Sequence, residues 1–309
     1  MLPALTELEL CLPRDADMAK ISKCLNPLRN LRKFTLRILF TVTYIAVNRV
    51  LSNIGNFSTI IARNPNLTHL VLRSTTNNAP CDLSSLLRGV PADKPLMLEH
   101  ITIDGYCRNL DALLPHIQSL SSIDIQFMHF AMDPFYTTLE RAGVFPSTIT
   151  ADALELDLFM YLDRHPGIVR LSIGHYGNYA TLYRDNCLPR ILRRHSGTLQ
   201  HLTVRTHMLR TSEGEMALLA CKQLRELVLT RKFERPHLLI MDCSYDSVDN
   251  EIRILPVVAR LNRSLTVVIR SPSISAFRDC IEYCKVSNNP LVCDLAGRIV
   301  YERLEPQGL

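Results

Sequence analysis

Residues 187–205 read CLPRILRRHSGTLQHLTVR, and the order of signals within them decides the fold. Leu188, Ile191 and Leu192 fall at the three- and four-residue spacing that puts apolar side chains on one face of a helix. Ser196-Gly197 then supplies turn chemistry. Leu199, Leu202 and Val204 follow as an L-x-x-L-x-L segment, whose fourth and sixth residues share one face of a short strand because side chains alternate along it. The unit is therefore helix, turn, strand.

Working outward, the same apolar triple recurs at Leu5/Leu8/Leu10, Leu31/Phe34/Leu36, Leu67/Leu70/Leu72, Leu98/Ile101/Ile103, Leu120/Ile123/Ile125, Ile168/Leu171/Ile173 and Leu224/Leu227/Leu229. Counting Leu199, the starts lie 26, 36, 31, 22, 48, 31 and 25 residues apart. Requiring polar residues in the gaps lowers the number of triples expected by chance to roughly two. Five of the eight copies pass that filter. Helical spacing precedes several copies, at Ile21/Leu25, Leu83/Leu86/Leu87/Val90, Leu110/Leu113/Leu114/Ile117 and Leu154/Leu158/Leu162, with Asp82 and Asn109 placed to cap two of these helices. Turn residues intervene at Asn64-Pro65-Asn66 and His165-Pro166-Gly167, and Pro27 and Pro95 stand similarly ahead of Leu31 and Leu98.

One such unit cannot bury its apolar edge alone, so neighbours must stack. The sequence predicts an α/β fold, an irregular solenoid of eight units with parallel strands on its concave face and helices on its convex face. The array is expected over residues 1–270, with insertions near 131–150 and 233–264. The first insertion, marked by Pro134, Gly143 and Pro146, reads either as a degenerate repeat or as a protruding loop. Leu265/Val267/Ile269 is expected as the last strand, and residues 271–309 as a cap and tail in which Ile274 to Lys285 forms the covering helix.

Composition sets limits on function. With 47% hydrophobic and 21% charged residues among 309, the chain has apolar surface enough for a substantial core and is no disordered segment. Only 11 Gly and no Trp argue against Gly-rich all-β designs and against aromatic platforms for single-stranded nucleic acid, so no nucleic-acid partner is expected. The net charge of +5 is spread along the chain without a long basic run. No stretch approaches the roughly 18 apolar residues needed to span a bilayer, and no leader pattern opens the sequence. No membrane association is expected. Ten Cys at scattered positions, with no C-x-x-C pair, fit thiols in a reducing compartment, so the expected location is intracellular, cytoplasmic or nuclear.

No G-x-G-x-x-G, P-loop, H-E-x-x-H or G-x-S-x-G occurs, so no enzyme activity and no cofactor are expected. Cys280, Cys284 and Cys293 lack the tight pairs and fourth ligand of a zinc site and read as structural thiols. Asp242, Asp246, Asp249 and Glu251 lack the Gly and alternation of a calcium loop. His195 and His201 lie near Cys187 in sequence, but His201 should face outward from a strand while Cys187 precedes a helix.

At its L-x-x-L-x-L segments the chain resembles the leucine-rich-repeat superfamily over residues 1–270, and its long, uneven, helix-containing units are most similar to the ribonuclease-inhibitor-like class. It departs from that family at the ninth position, where the usual Asn or Cys is replaced by Pro13, Leu39, Thr75, Tyr106, Met128, Tyr176, His207 and Lys232. A regular ladder of buried Asn is therefore not expected. The irregular spacing also resembles the repeat regions of F-box proteins, including divergent sets from mushroom-forming fungi. That resemblance implies a protein-recognition module that presents substrates to a ubiquitin ligase, with the Skp1/cullin complex as partner if an F-box stands upstream. Leu2-Pro3, Leu12-Pro13-Arg14-Asp15 and the run from Ile21 to Leu28 echo an F-box opening, but Leu5/Leu8/Leu10 reads better as a repeat strand, so the chain is expected to begin inside the array. The alternative reading is a ubiquitin-independent scaffold or inhibitor that binds an enzyme directly.

The outward residues of the strands should form three columns. The first holds Glu7, Lys33, His69, His100, Ser122, Arg170, His201 and Glu226. The middle one holds Glu9, Thr35, Val71, Thr102, Asp124, Ser172, Thr203 and Val228. The third holds Cys11, Arg37, Arg73, Asp104, Gln126, Gly174, Arg205 and Thr230. A protein ligand is expected on this concave face through Lys33, Arg37, His69, Arg73, His100, Asp104, Arg170, His201 and Arg205, whose partly basic character favours an acidic peptide or a phosphate.

Overall fold

A computed structural model of the chain describes residues 5–13, 16–39, 54–74, 81–105, 107–126, 135–176, 187–209, 211–230, 248–261, 264–271 and 274–303. The chain divides into two compact units, Met1–Ala151 and Asp152–Leu309.

In the first unit the strands are β1 (Glu7–Pro13), β2 (Lys33–Leu39), β3 (His69–Ser74), β4 (Cys81–Asp82), β5 (His100–Asp104), β6 (Cys107–Arg108), β7 (Ser122–Gln126) and β8 (Thr148–Leu154), the last running past the boundary. Strands β1-β2-β3-β5-β7-β8 form a parallel sheet in that order, while β4 and β6 pair separately with each other. Strands β2, β3, β5 and β7 are entered by the same device, in which one carbonyl accepts two successive N–H groups from the next unit. Thr6 O takes Arg32 N and Lys33 N, Arg32 O takes Thr68 N and His69 N, Thr68 O takes Glu99 N and His100 N, and Glu99 O takes Ser121 N and Ser122 N. Short helices cross over between strands at Met18–Leu25, Ser58–Ala62, Leu83–Leu87 and Phe135–Arg141, joined by 3-10 turns at Ile54–Phe57 and Leu110–His116.

The second unit repeats the plan with β9 (Arg170–Tyr176), β10 (His201–Arg205), β11 (Glu226–Thr230), β12 (Thr266–Ser271) and β13 (Ile299–Arg303), all parallel and in sequence order. Val169 O and Gln200 O again each accept a pair of N–H groups from the following unit. Helices lie at Leu156–Arg164, Cys187–Arg194, Ser212–Ala220, Val248–Ala259, Ile274–Val286 and Pro290–Leu295. None among the described residues is long and apolar enough to cross a membrane.

The cores of both units are built from the predicted apolar positions. Leu31, Phe34 and Leu36, then Leu67, Leu70 and Leu72, and the corresponding residues through Leu224, Leu227 and Leu229, are all buried. Each fully buried aliphatic side chain contributes about 1.5–3 kcal/mol. Strand β1 is the exception, with Leu5 at 42% exposure and Leu8 and Leu10 half-buried.

Several expectations are refined. The stretch near 131–150 takes the degenerate-repeat form over its described part: the helix Phe135–Arg141 leads into β8, where Pro146, Ile149 and Ala151 occupy the three buried positions of the triple. Leu154, read as helical, ends that strand, and the helix starts at Leu156. Beyond residue 270 the chain does more than cap. The helix Ile274–Val286 is followed by Pro290–Leu295 and by β13, which pairs in parallel with β12. Of the 233–264 insertion, Val248–Ala259 is helical and 233–247 lie outside the described residues.

Of the ninth positions, Thr75, Tyr106, Met128 and Lys232 lie outside the described residues, as do the side chains of Leu39 and Tyr176; buried polar side chains are found at the turns. At the end of the helical segment that precedes a strand, a buried polar side chain bonds the main chain of the unit before it. Asn64 Oδ1 accepts Leu31 N at 2.8 Å while its amide donates to Leu28 O and Ile60 O. His116 Nδ1 accepts Leu96 N at 3.1 Å. His195 Nδ1 accepts Ile168 N at 3.2 Å, so its proton sits on Nε2, 2.9 Å from Leu162 O. Burial lowers the pKa of both histidines; for His195, burial is the largest influence, the Leu162 carbonyl opposes it, Arg194 adds to it and Asp163 opposes it.

A second staple joins the ends of two units. Asp82 caps the helix Leu83–Leu87 through the N–H groups of Ser84 and Ser85, as predicted. Asn109 does not cap its own turn. It takes a left-handed φ of 59°, and its amide donates to Asp82 Oδ1 at 2.8 Å. Partial burial pushes Asp82 upward, but the hydrogen bonds from Asn109, Ser84 and Ser85 outweigh it and hold the carboxyl far below the usual range.

Replacing His195 by Phe leaves Ile168 N and Leu162 O unsatisfied in the core, and urea titration should show a loss on the order of 2–4 kcal/mol. The folded His195 and His116 bind protons less readily than the unfolded chain, so stability is full above the unfolded value of about 6.5 and declines as pH falls through it toward the folded values. Unfolding midpoints that stay level between about pH 7.5 and pH 5 would contradict this assignment. Asp82→Ala removes the cap and the Asn109 link, with an expected cost of about 1–2 kcal/mol by the same titration. Because the folded Asp82 pKa is depressed, its contribution is present above about pH 4 and disappears on further acidification.

Candidate functional site

The parallel register decides which side chains meet on the exposed face of the first unit. Glu7, Lys33, His69, His100 and Ser122 form one row across β1, β2, β3, β5 and β7. Glu9, Thr35, Val71, Thr102 and Asp124 form the next, and Cys11, Arg37, Arg73, Asp104 and Gln126 the third. Adjacent strands lie about 4.8 Å apart, so the long side chains of the outer rows stand over the short ones between them.

The result is an open trough of about 370 Å³. Its floor is Thr35, Val71 and Thr102, which are only 4%, 7% and 3% exposed although they point away from the core. One wall carries Lys33, His69 and His100, and the other Arg37 and Arg73, while Glu9 and Asp124 stand at opposite ends of the middle row.

Ion pairs hold the β1 end. Lys33 Nζ lies 3.3 Å from Glu7 Oε2, and Arg37 Nε lies 2.8 Å from Glu9 Oε1, close in distance but not aligned as a hydrogen bond. The His69 and His100 rings are tilted against each other with centroids 5.5 Å apart. Thr68 Oγ1 is 2.9 Å from His69 Nδ1, and Thr102 Oγ1 is 3.0 Å from His100 Nε2. Burial lowers the His100 pKa, with His69 and Lys33 adding to the effect. Burial raises Asp124, against the pull of the Gln126 amide and of Arg73.

Five of the predicted site residues, Lys33, Arg37, His69, Arg73 and His100, thus line one depression. Asp104 stands beside Arg73 in the third row without lining it. Arg170, His201 and Arg205 belong to the second unit. There Arg170 is in register with His201, whose Nδ1 lies 2.8 Å from Glu226 Oε2, and Arg205 stands opposite Thr230. Glu9, Thr35, Thr102 and Asp124 of the middle row line the first unit's depression too, although they are not among the expected site residues. Register was the signal that could have found them.

The remaining chemical candidates have structural roles. His195 is committed to two main-chain bonds, and Cys187 is buried at the start of its helix. Cys280 and Cys284 are buried; burial, with help from Cys293, pushes the Cys284 thiol up to about 11, and burial pushes Cys221 up to about 12. Among the described residues, no three His, Cys, Asp or Glu side chains are grouped to hold a metal ion. Asp242 and Asp246 lie outside the described residues, as do the side chains of Asp249 and Glu251. No family model matches the chain, and neither does any curated protein.

Proposed function

We propose that this protein is a recognition module that binds a protein ligand across the exposed sheet face of its first unit and performs no chemistry itself. The observation behind this reading is the trough, in which three cations and two imidazoles surround a floor already shielded from water. A ligand entering there meets fixed walls, and an Arg fork favours a carboxylate or phosphate on an otherwise extended segment. The strands hold these groups rigidly, which lowers the ordering cost of binding.

The further reading, that the module is a leucine-rich-repeat substrate adaptor of an F-box-type ubiquitin ligase working inside the cell, rests on the sequence resemblance. The described cysteines form no disulfide, in keeping with a reducing compartment.

The test is affinity capture from native cells with the wild-type chain and with the double variant Arg37→Glu/Arg73→Glu. The reversal should lower capture of a specific protein by at least about tenfold while the melting temperature stays near wild type. Equal capture by both forms removes the trough from the binding site. Skp1 and a cullin in the wild-type eluate support the adaptor reading, whereas one stoichiometric enzyme without Skp1 favours a scaffold or inhibitor.

A further inference from the structure

The cations of the trough are not equally committed. Lys33 and Arg37 stand against Glu7 and Glu9. Arg73, next along the same row as Arg37, has no carboxylate within ion-pair distance among the described residues, and Asp124 attracts it only from farther away. On the opposite wall the two histidines each spend one ring nitrogen on a threonine hydroxyl. His69 Nε2 and His100 Nδ1 have no partner among the described residues.

We propose that the middle of the trough is a seat for a phosphate monoester dianion, gripped by the Arg73 fork and met by His69 and His100, which take up protons as it binds. This rests on the recognition reading above and names the chemical group that the ligand presents. A single carboxylate would be satisfied by Arg73 alone. A dianion also supplies a field that favours charging an imidazole such as His100, where burial, with His69 and Lys33 adding to it, opposes the proton. Glu9 and Asp124 at the two ends repel any long polyanion, so the space suits a compact group rather than a nucleic-acid backbone.

The charged groups facing the rings are Glu7 from β1, Lys33 and Arg37 from β2, Arg73 from β3, Asp104 from β5 and Asp124 from β7. Proton uptake by the rings should strengthen binding as pH falls from about 8 to about 6.5, after which protonation of the phosphate, with a second pKa near 6, reverses the trend.

The experiment titrates phenyl phosphate, a monoester with a second pKa near 6, into the whole protein while following the imidazole resonances of His69 and His100. A saturable shift is expected, tighter near pH 6.5 than near pH 8, as the proton linkage requires. Arg73→Gln should abolish it at an unchanged melting temperature, and His69→Gln should weaken it and flatten the pH dependence. Arg253→Gln, on an exposed helical surface of the second unit, should behave as wild type.

A second arm competes the bound phenyl phosphate with a peptide library carrying one phosphoserine and with its unphosphorylated twin. Displacement by the phosphorylated library alone, at about tenfold lower concentration than free phenyl phosphate, supports a peptide-borne group. Failure to displace removes that source. Unmoved imidazole resonances, or an Arg73→Gln protein that responds like wild type, overturn the phosphate seat altogether. If the resonances stay still while Arg37→Glu/Arg73→Glu loses its protein partner, the seat falls and the recognition reading stands.

Discussion

The structure depends on the way six of its strands are entered, through one carbonyl of the preceding unit that accepts two consecutive N–H groups. Thr6, Arg32, Thr68 and Glu99 do this in the first unit, and Val169 and Gln200 in the second. Pairing both N–H groups to one carbonyl fixes the register at the strand entry. Once His69 lies opposite Lys33 and His100, Leu70 must face Phe34 and Ile101 in the core, and Arg73 must stand between Arg37 and Asp104 outside. A slip of one residue would exchange the two faces entirely.

That constraint also explains the buried polar side chains. The turn before each strand must bend the chain inward, and bending exposes main-chain groups of the preceding unit that no strand can pair. Asn64 satisfies two such groups and one of its own helix, His195 two and His116 one. Cys221 occupies the comparable place before β11, with its sulfur 3.6 Å from Leu192 O. Three residue types, Asn, His and Cys, fill these four positions in comparable roles.

The legible part of the fold was the part governed by period. Apolar triples mark seven strands beyond β1, and alternation along them places Lys33, His69 and His100 in one row, as the register shows. Elements without the period were missed or left open. In β8 the triple reads Pro146, Ile149 and Ala151, and in β13 only Ile299 and Tyr301 remain to mark it, since Val300 points outward at 46% exposure. The turn ladder was invisible for a different reason. A lone Asn or His in a sequence does not say whether its ring or amide meets water or a neighbouring carbonyl, and that depends on contacts 20 to 36 residues away.

The site occupies the boundary between those two kinds of information. Residue type alone singled out the cations, because charge on a strand's outer face reads directly from alternation. The middle row is what turns those cations into a cavity. Thr35, Val71 and Thr102 are short enough to be roofed by the rows on either side, so a polar outer face acquires a floor nearly as buried as the core beneath it. Longer side chains there would fill the trough, and a Gly would weaken the strand that holds it. The Glu7–Lys33 and Glu9–Arg37 pairs are exposed and add little to stability. Their effect is to keep Lys33 and Arg37 turned toward β1, which leaves Arg73 and the two imidazoles as the groups with bonding capacity still to offer. The character of the trough is thus set by how the cations are shared along the row, rather than by how many there are.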